Sequence, residues 1–172
     1  MRYNGNMMKN TMTYDFEDGV GPVPAHRHSN GGGWVADSTR VVDSAYIGPN
    51  AKVYDNAKVY DNAKVYGNAR IFDNAWIYDN AKVRGNAVVC DTASVYDNAM
   101  VYGNAVVCGN AAVFGNAQVF DNAWIYDNAV VCGTACDTAS VYGNAKVFGN
   151  AKVFGNAKVC GTARVYPYDT AE

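Results

Sequence analysis

Residues 53–70 read VYDNAKVYDNAKVYGNAR, three six-residue units laid end to end. The aliphatic residue that opens each unit returns at every sixth position, as Val35, Val41, Ile47, Val53, Val59, Val65, Ile71 and Ile77, and onward to Val131. Two positions before nearly every one of these stands a small residue, usually alanine, as at Ala45, Ala51, Ala57 and Ala63. A period of six matches neither the helical turn nor the heptad, so helix is excluded by phase. Within a unit, A-x-V-Y alternates inward and outward as a strand does. The next two residues, Asp-Asn or Gly-Asn, tolerate positive φ and form a corner. A lone unit cannot bury its valine. Stacked coils bury a continuous column of Val and Ala, with backbone hydrogen bonds running from coil to coil.

The residue after the aromatic sets the number of sides. It runs Asp55, Asp61, Gly67, then Asp73, Asp79, Gly85, then Asp91, Asp97, Gly103. This order repeats every 18 residues, which predicts a three-sided tube. About seven coils at ~4.8 Å spacing give a prism roughly 35 Å long. The expected division is an irregular N-terminal cap over 1–34, the β-helix over 35–166 and a short tail over 167–172. Gly31-Gly32-Gly33 reads as a flexible joint, Trp34 as a plug over the first coil, and Pro167 as the end of the ladder.

One irregularity interrupts the repeat. Ten residues separate Val131 from Val141 where twelve are expected, and CDTAS at 136–140 copies CDTAS at 90–94. An x-V pair therefore reads as missing before Cys136, which predicts one shortened side and a pinched coil.

Composition narrows the function classes. The aliphatic content is mostly Val and Ala, suited to narrow β coils rather than a layered α/β core. A formal charge of −2 gives no pull toward nucleic acid or anionic membrane. No apolar run approaches membrane-spanning length, and MRYNGNMMKNTMTYDFEDG at the start is polar throughout. Five cysteines at repeat positions do not read as a disulfide framework. A cytoplasmic location with reduced thiols is expected, and Cys90 and Cys108, one coil apart, are expected to stay unlinked.

The repeat V-[YFC]-[DG]-[NT]-A-x resembles the hexapeptide-repeat family over residues 35–166. That resemblance implies a left-handed parallel β-helix, commonly assembled as a homotrimer. The stretch GPVPAHRHSNGGGWVA, residues 21–36, is similar to leader segments of hexapeptide proteins carried in phage and prophage genomes. Two activities occur among such folds. The acyltransferases use a histidine base near a subunit cleft, with acetyl-CoA as donor. The γ-type carbonic anhydrases hold zinc with three histidines across an interface. This chain has only His26 and His28, both outside the coils, so neither motif carries over residue by residue. The pair remains a candidate for a base or, with Asp15 or Glu17, for metal ligation.

Binding is better supported by the pattern. Tyr60, Tyr78, Tyr96 and Phe114 fall 18 apart and should stack, and Tyr54 and Phe72 begin a second ladder continued by Cys90 and Cys108. Asp37, Asp55, Asp73 and Asp91 should line one corner, and Asp43, Asp61, Asp79 and Asp97 another. Such rows could imitate a nucleic-acid backbone, but Asp-Asn is ordinary corner chemistry, and neighbouring lysines screen it. The outward x positions read Lys52, Arg70, Val88, Val106, Trp124 on one face and Arg40, Lys58, Trp76, Ser94, Ala112, Val130 on another. Both shift from charged to apolar, which often marks a protein contact. The interaction face is therefore expected at Trp76, Val88, Val106, Trp124 and Val130, with Tyr60, Tyr78 and Tyr96. The expected protein is non-catalytic and binds a macromolecular partner, in one version as a phage-borne inhibitor of a host defence protein. No cofactor is expected, and the expected partner is not a nucleic acid. Flat ranks of exposed Thr, the mark of ice binding, are absent from these faces.

Overall fold

The computed structural model describes residues 12–167 and 170–171. The first eleven residues of the expected cap and residues 168, 169 and 172 of the expected tail lie outside the described residues.

From Trp34 onward the chain repeats one motif, a two-residue strand followed by a corner. The strands assemble into three parallel sheets, one per side of a triangular tube of about seven turns. Each strand pairs with the strand one coil on. Val88 and Val89 lie opposite Val106 and Val107, for example, and Trp76 lies opposite Ser94. We call the sheet containing Lys52 face I, that containing Lys58 face II and that containing Lys64 face III. The all-β, three-sided parallel β-helix read from the repeat is the fold of the chain.

The valines and alanines meet inside the tube. From Ala45 to Val153 the repeat alanines and aliphatics form one core column that is almost wholly solvent-free. Small residues beside each corner let three sheets approach closely enough to leave no lumen. The outward side chains follow from strand parity.

Corners use left-handed backbone, with Asp55 at φ 56°, Asp73 at 55° and Gly67 at 67°. Asp tolerates this region better than most residues, and its carboxylate gains a use there. The Asp55 carboxylate accepts the Asp73 N–H at 3.2 Å, Asp73 accepts that of Asp91 at 3.1 Å, and Asp91 accepts that of Gly109 at 2.8 Å. On another corner, the Asn68, Asn86, Asn104 and Asn122 amides form a ladder at 3.0–3.1 Å. From Asp55 and Asp61 onward both Asp rows thus spend one carboxylate oxygen per residue on the next coil's backbone, whereas Asp37 meets His26.

The N-terminal segment holds two further strands. β1 (Thr13–Tyr14) pairs antiparallel with β2 (Val23–Arg27), which pairs antiparallel with β3 (Trp34–Ala36), the first strand of face I. They cover the open edge of that sheet. Gly31-Gly32-Gly33 is not a loose joint. Its backbone runs along Ile47, with the Gly33 N–H donating to the Ile47 carbonyl and the Ile47 N–H to that of Asn30. A Cβ on Gly31 would stand 2.3 Å from the Ile47 oxygen, so glycine is required by close approach. Trp34 does not plug the tube either. It lies on the outside of face I, stacked on Tyr14 at 4.2 Å, with the Arg27 guanidinium over its ring.

Pro167 does not end the ladder. Thr170–Ala171 adds another strand to face III, paired with Lys152–Val153. Proline occupies the corner position below Gly149, which has no carboxylate to receive an N–H, so the missing donor costs nothing.

The two-residue deficit falls elsewhere than the repeat implies. Thr134–Ala135 fills the strand slot, opposite Gln118–Val119 and Lys152–Val153, and the side keeps its length. The corner pair between Cys132 and Gly133 is what is lost, and the register step drops from 18 to 16, as in Trp124 opposite Ser140.

Candidate functional site

Along the tube the charges segregate by height. No lysine or arginine occurs between Arg84 and Lys146. The outward positions in this span are Val88, Val106, Trp124 and Ser140 on face I, Ser94, Ala112 and Val130 on face II, and Met100, Gln118 and Thr134 on face III. Basic residues close the band at both ends. Lys52 and Arg70 precede it on face I and Lys158 follows, while Lys146 and Arg164 follow on face II. The expected drift from charged to apolar toward the C-terminus is thus a band at mid-length. Its ionic groups are the corner carboxylates Asp91, Asp97, Asp121, Asp127 and Asp137.

Within this band Trp124 stands out, with 51% of its surface exposed. Val88 and Val106 lie above it in register and are half-buried, as is Val130 on the neighbouring face. Trp76, 41% exposed, stands on face II at the band's upper edge, with the Lys58 ammonium 4.0 Å from its ring. The expected interaction residues therefore divide between two faces. Face I carries Val88, Val106 and Trp124, and face II carries Trp76 and Val130.

The tyrosines follow the corner after face II. Tyr78 and Tyr96 stack at 4.8 Å and 4°, and Phe114 continues below Tyr96 at 5.0 Å. Tyr60 instead turns its edge to Trp76 at 6.2 Å. The ladder after face I begins higher than the repeats, because Phe16 from the loop after β1 stacks on Tyr54 at 4.8 Å and Tyr54 on Phe72 at 5.0 Å. Cys90 and Cys108 then hold two rungs, and rings resume with Tyr126 on Tyr142 at 4.9 Å. Burial raises the phenol pKa values of Tyr78 and Tyr96, because the stacked rings shed water from the hydroxyls.

His26 and His28 part ways. His26 Nδ1 lies 2.7 Å from the Asp37 carboxylate at the surface. His28 is buried at 4% exposure, with its Nδ1 facing Asn30 and its Nε2 lacking a partner. Asp15 accepts the Glu17 N–H, and Glu17 reaches Lys52 at 3.1 Å, so the four groups do not gather on one ion. Asp37, spaced eleven residues from His26, was invisible as its partner until β2 and β3 were paired.

The lost corner leaves a notch of about 550 Å³ lined mainly by Asn116, Gln118, Cys132, Thr134, Asn150 and Lys152. The Cys132 sulfur partly replaces the missing carboxylate, accepting the Gly149 N–H at 3.3 Å.

The YdcK beta solenoid repeat family matches residues 63–78, 93–109 and 117–133, less than a third of the chain. The chain is a β-solenoid repeat protein. The matched segments include Trp76, Val106, Trp124 and Val130 of the candidate faces, and the last of them ends at the short corner at Cys132–Gly133. No curated protein and no solved structure matches the chain. Among the described residues no helix is long and apolar enough to cross a membrane.

Proposed function

We propose that this solenoid is a non-catalytic binding or structural protein, acting on a macromolecular partner through its faces after assembling as a homotrimer. The observation that carries the reading is Trp124, half-exposed at the foot of the Val88–Val106 row in a span free of basic side chains. An aromatic anchor beside aliphatic side chains, with charges confined to the margins, has the make-up of an interface core and rim. In this proposal face I closes the trimer and the remaining faces meet a protein partner. The Asp rows favour protein over nucleic acid, because one oxygen of each bonded carboxylate is engaged along the corner. The finer form, a phage-encoded hexapeptide-repeat inhibitor of a host defence protein in the cytoplasm, rests on the similarity of residues 21–36 to phage leaders.

Sedimentation tests the assembly. The wild-type chain is expected to run as a trimer at micromolar concentration. Trp124→Asp combined with Val106→Asp is expected to yield a folded monomer, since loss of one anchor costs about 2 kcal/mol or more, roughly 30-fold in affinity. A monomeric wild type overturns it.

The His26–Asp37 pair favours a second reading, acyl transfer from acetyl-CoA with His26 as an oriented base. Stabilisation of the fold by acetyl-CoA in a thermal-shift assay is the result that would support it.

A further inference from the structure

The two-rung break in the ladder after face I is where the outward chemistry of the tube changes. Phe72 closes the upper stack and Tyr126 opens the lower one. Between them the repeat supplies Cys90 and Cys108 in place of rings, and a thiol fills far less space. The result is a cavity of about 330 Å³ lined by Cys108, Trp124, Tyr126, Asp91 and Asp127, with Gly109 and Ser140.

Donor atoms converge there. The Cys90 and Cys108 sulfurs and a carboxylate oxygen of Asp91 all lie within 4.8 Å of one another, the sole group of three such side chains among the described residues. Stacking in register creates this arrangement. Side chains 18 residues apart project in parallel at the coil spacing of ~4.8 Å, so two thiols come close without the dihedral a disulfide needs. Both are free. Asp91 follows Cys90 at the corner and is already oriented, since one of its oxygens accepts the Gly109 N–H at 2.8 Å. A bonded carboxylate with its second oxygen open is how outer contacts commonly aim a metal ligand.

We propose that Cys90, Asp91 and Cys108 form a site for one borderline-soft divalent cation of the zinc class, reached through the gap in the ring ladder. Two sulfurs and one oxygen suit such an ion better than calcium or magnesium, which take oxygen ligands. Sulfurs at about 2.3 Å from a tetrahedral ion stand about 3.8 Å apart, so a small rotation of the thiols completes the geometry. The fourth position faces the cavity and takes water. Binding replaces two S–H bonds by two metal–sulfur bonds, and both protons leave to solvent. Each thiol must give up its proton to bind, so the ion competes with protons and apparent affinity rises with pH.

The test is titration of the reduced, metal-free full chain with Co²⁺ alone, then displacement by Zn²⁺. One equivalent of Co²⁺ should produce a thiolate-to-cobalt charge-transfer band that Zn²⁺ abolishes. Zn²⁺ should also shield two of the five thiols from a disulfide reagent. Cys90→Ser and Cys108→Ser should each remove the band, while Cys136→Ser and Cys160→Ser keep it. Should a cysteine variant fail to fold, Asp91→Asn, a near-isosteric surface change, should lower the Co²⁺ affinity at least tenfold. A missing band in the wild type, a band surviving in Cys90→Ser with Cys108→Ser, or unaltered affinity in Asp91→Asn would overturn the site.

Discussion

The corner at Asp97–Asn98 and the corner at Cys132–Gly133 perform the same task with different amounts of chain. At the first, Asp97 adopts φ 57°, its carboxylate accepts the Gly115 N–H at 3.0 Å, and the Asn98 N–H donates to the Gly115 carbonyl. At the second, two residues are gone. A cysteine sulfur receives the Gly149 N–H, and among the described residues the Asn116 N–H has no acceptor. The sheet, however, keeps every rung, since Thr134–Ala135 slides into the strand slot. The comparison shows which half of the repeat the tube defends. A strand slot carries backbone bonds to the coils above and below and a buried side chain, whereas a corner lies in water that can satisfy what it loses. The slide also has a condition. The residue left in the former alanine position is Gly133, and a Cβ there would stand 2.5 Å from the Ala151 oxygen.

Two engineered deletions of equal length set a permissive corner against a forbidding one. Removing Ala112–Val113 lets Asn110–Ala111 slide into the strand slot and puts Gly109 in the alanine position, repeating the natural event. Removing Met100–Val101 makes the same slide but puts Asp97 inside the tube. Both lose a buried valine, worth about 1–3 kcal/mol. Only the second buries an unpaired carboxylate, which should cost about 3 kcal/mol more or prevent folding. Urea unfolding followed by far-UV circular dichroism measures the difference, and equal midpoints would sink the account. A smaller effect is expected from Gly133→Ala. The contact is with backbone, so a strand must shift, at a cost of about 1–3 kcal/mol. The same measurement reads it, and an unchanged midpoint would mean the short corner is looser than its geometry implies.

The repeat made the fold legible because burial at period six and a corner code at period 18 are written residue by residue. Val95 and Ala99 could be placed inside, and Tyr96 under Tyr78, from spacing alone. What spacing could not show was how the chain resolves a conflict between phase and sterics. Aligned as text, VCGTACDTASV lacks an x-V pair, whereas the chain sacrifices a corner because Gly133 permits it. The N-terminal strands escaped for a related reason. Antiparallel pairing of β2 with β3 has no repeat to announce it, so neither the Asp37 partner of His26 nor the buried setting of His28 could be read. The candidate face was legible at Val88, Val106 and Trp124. Its lower limit at Lys146 and Lys158 was printed in the chain but became a boundary only once the coils were stacked.

Alkaline pH separates the thiols from the rings along the ladders, with the smallest effect of the three. In the metal-free chain, burial raises the pKa of Cys90 to about 12 and moves Cys108, Cys136, Tyr78, Tyr96 and Tyr102 upward as well. Each of these groups is neutral when protonated, and the folded stack favours that neutral form. Below the thiol's unfolded value near 9 both states hold the proton and the stabilising difference is intact. As pH rises from there toward 12 the unfolded chain loses protons first, so the fold is progressively destabilised. Melting temperatures measured with chelator present should be flat through neutrality and fall above about pH 9. Cys90→Val keeps the packing of that rung while removing its proton, so its curve should fall less steeply than that of wild type between pH 9 and 10, before phenols dominate. Parallel curves would mean that the thiols exchange protons as freely in the tube as in the open chain, and that the ladder break is no drier than bulk water.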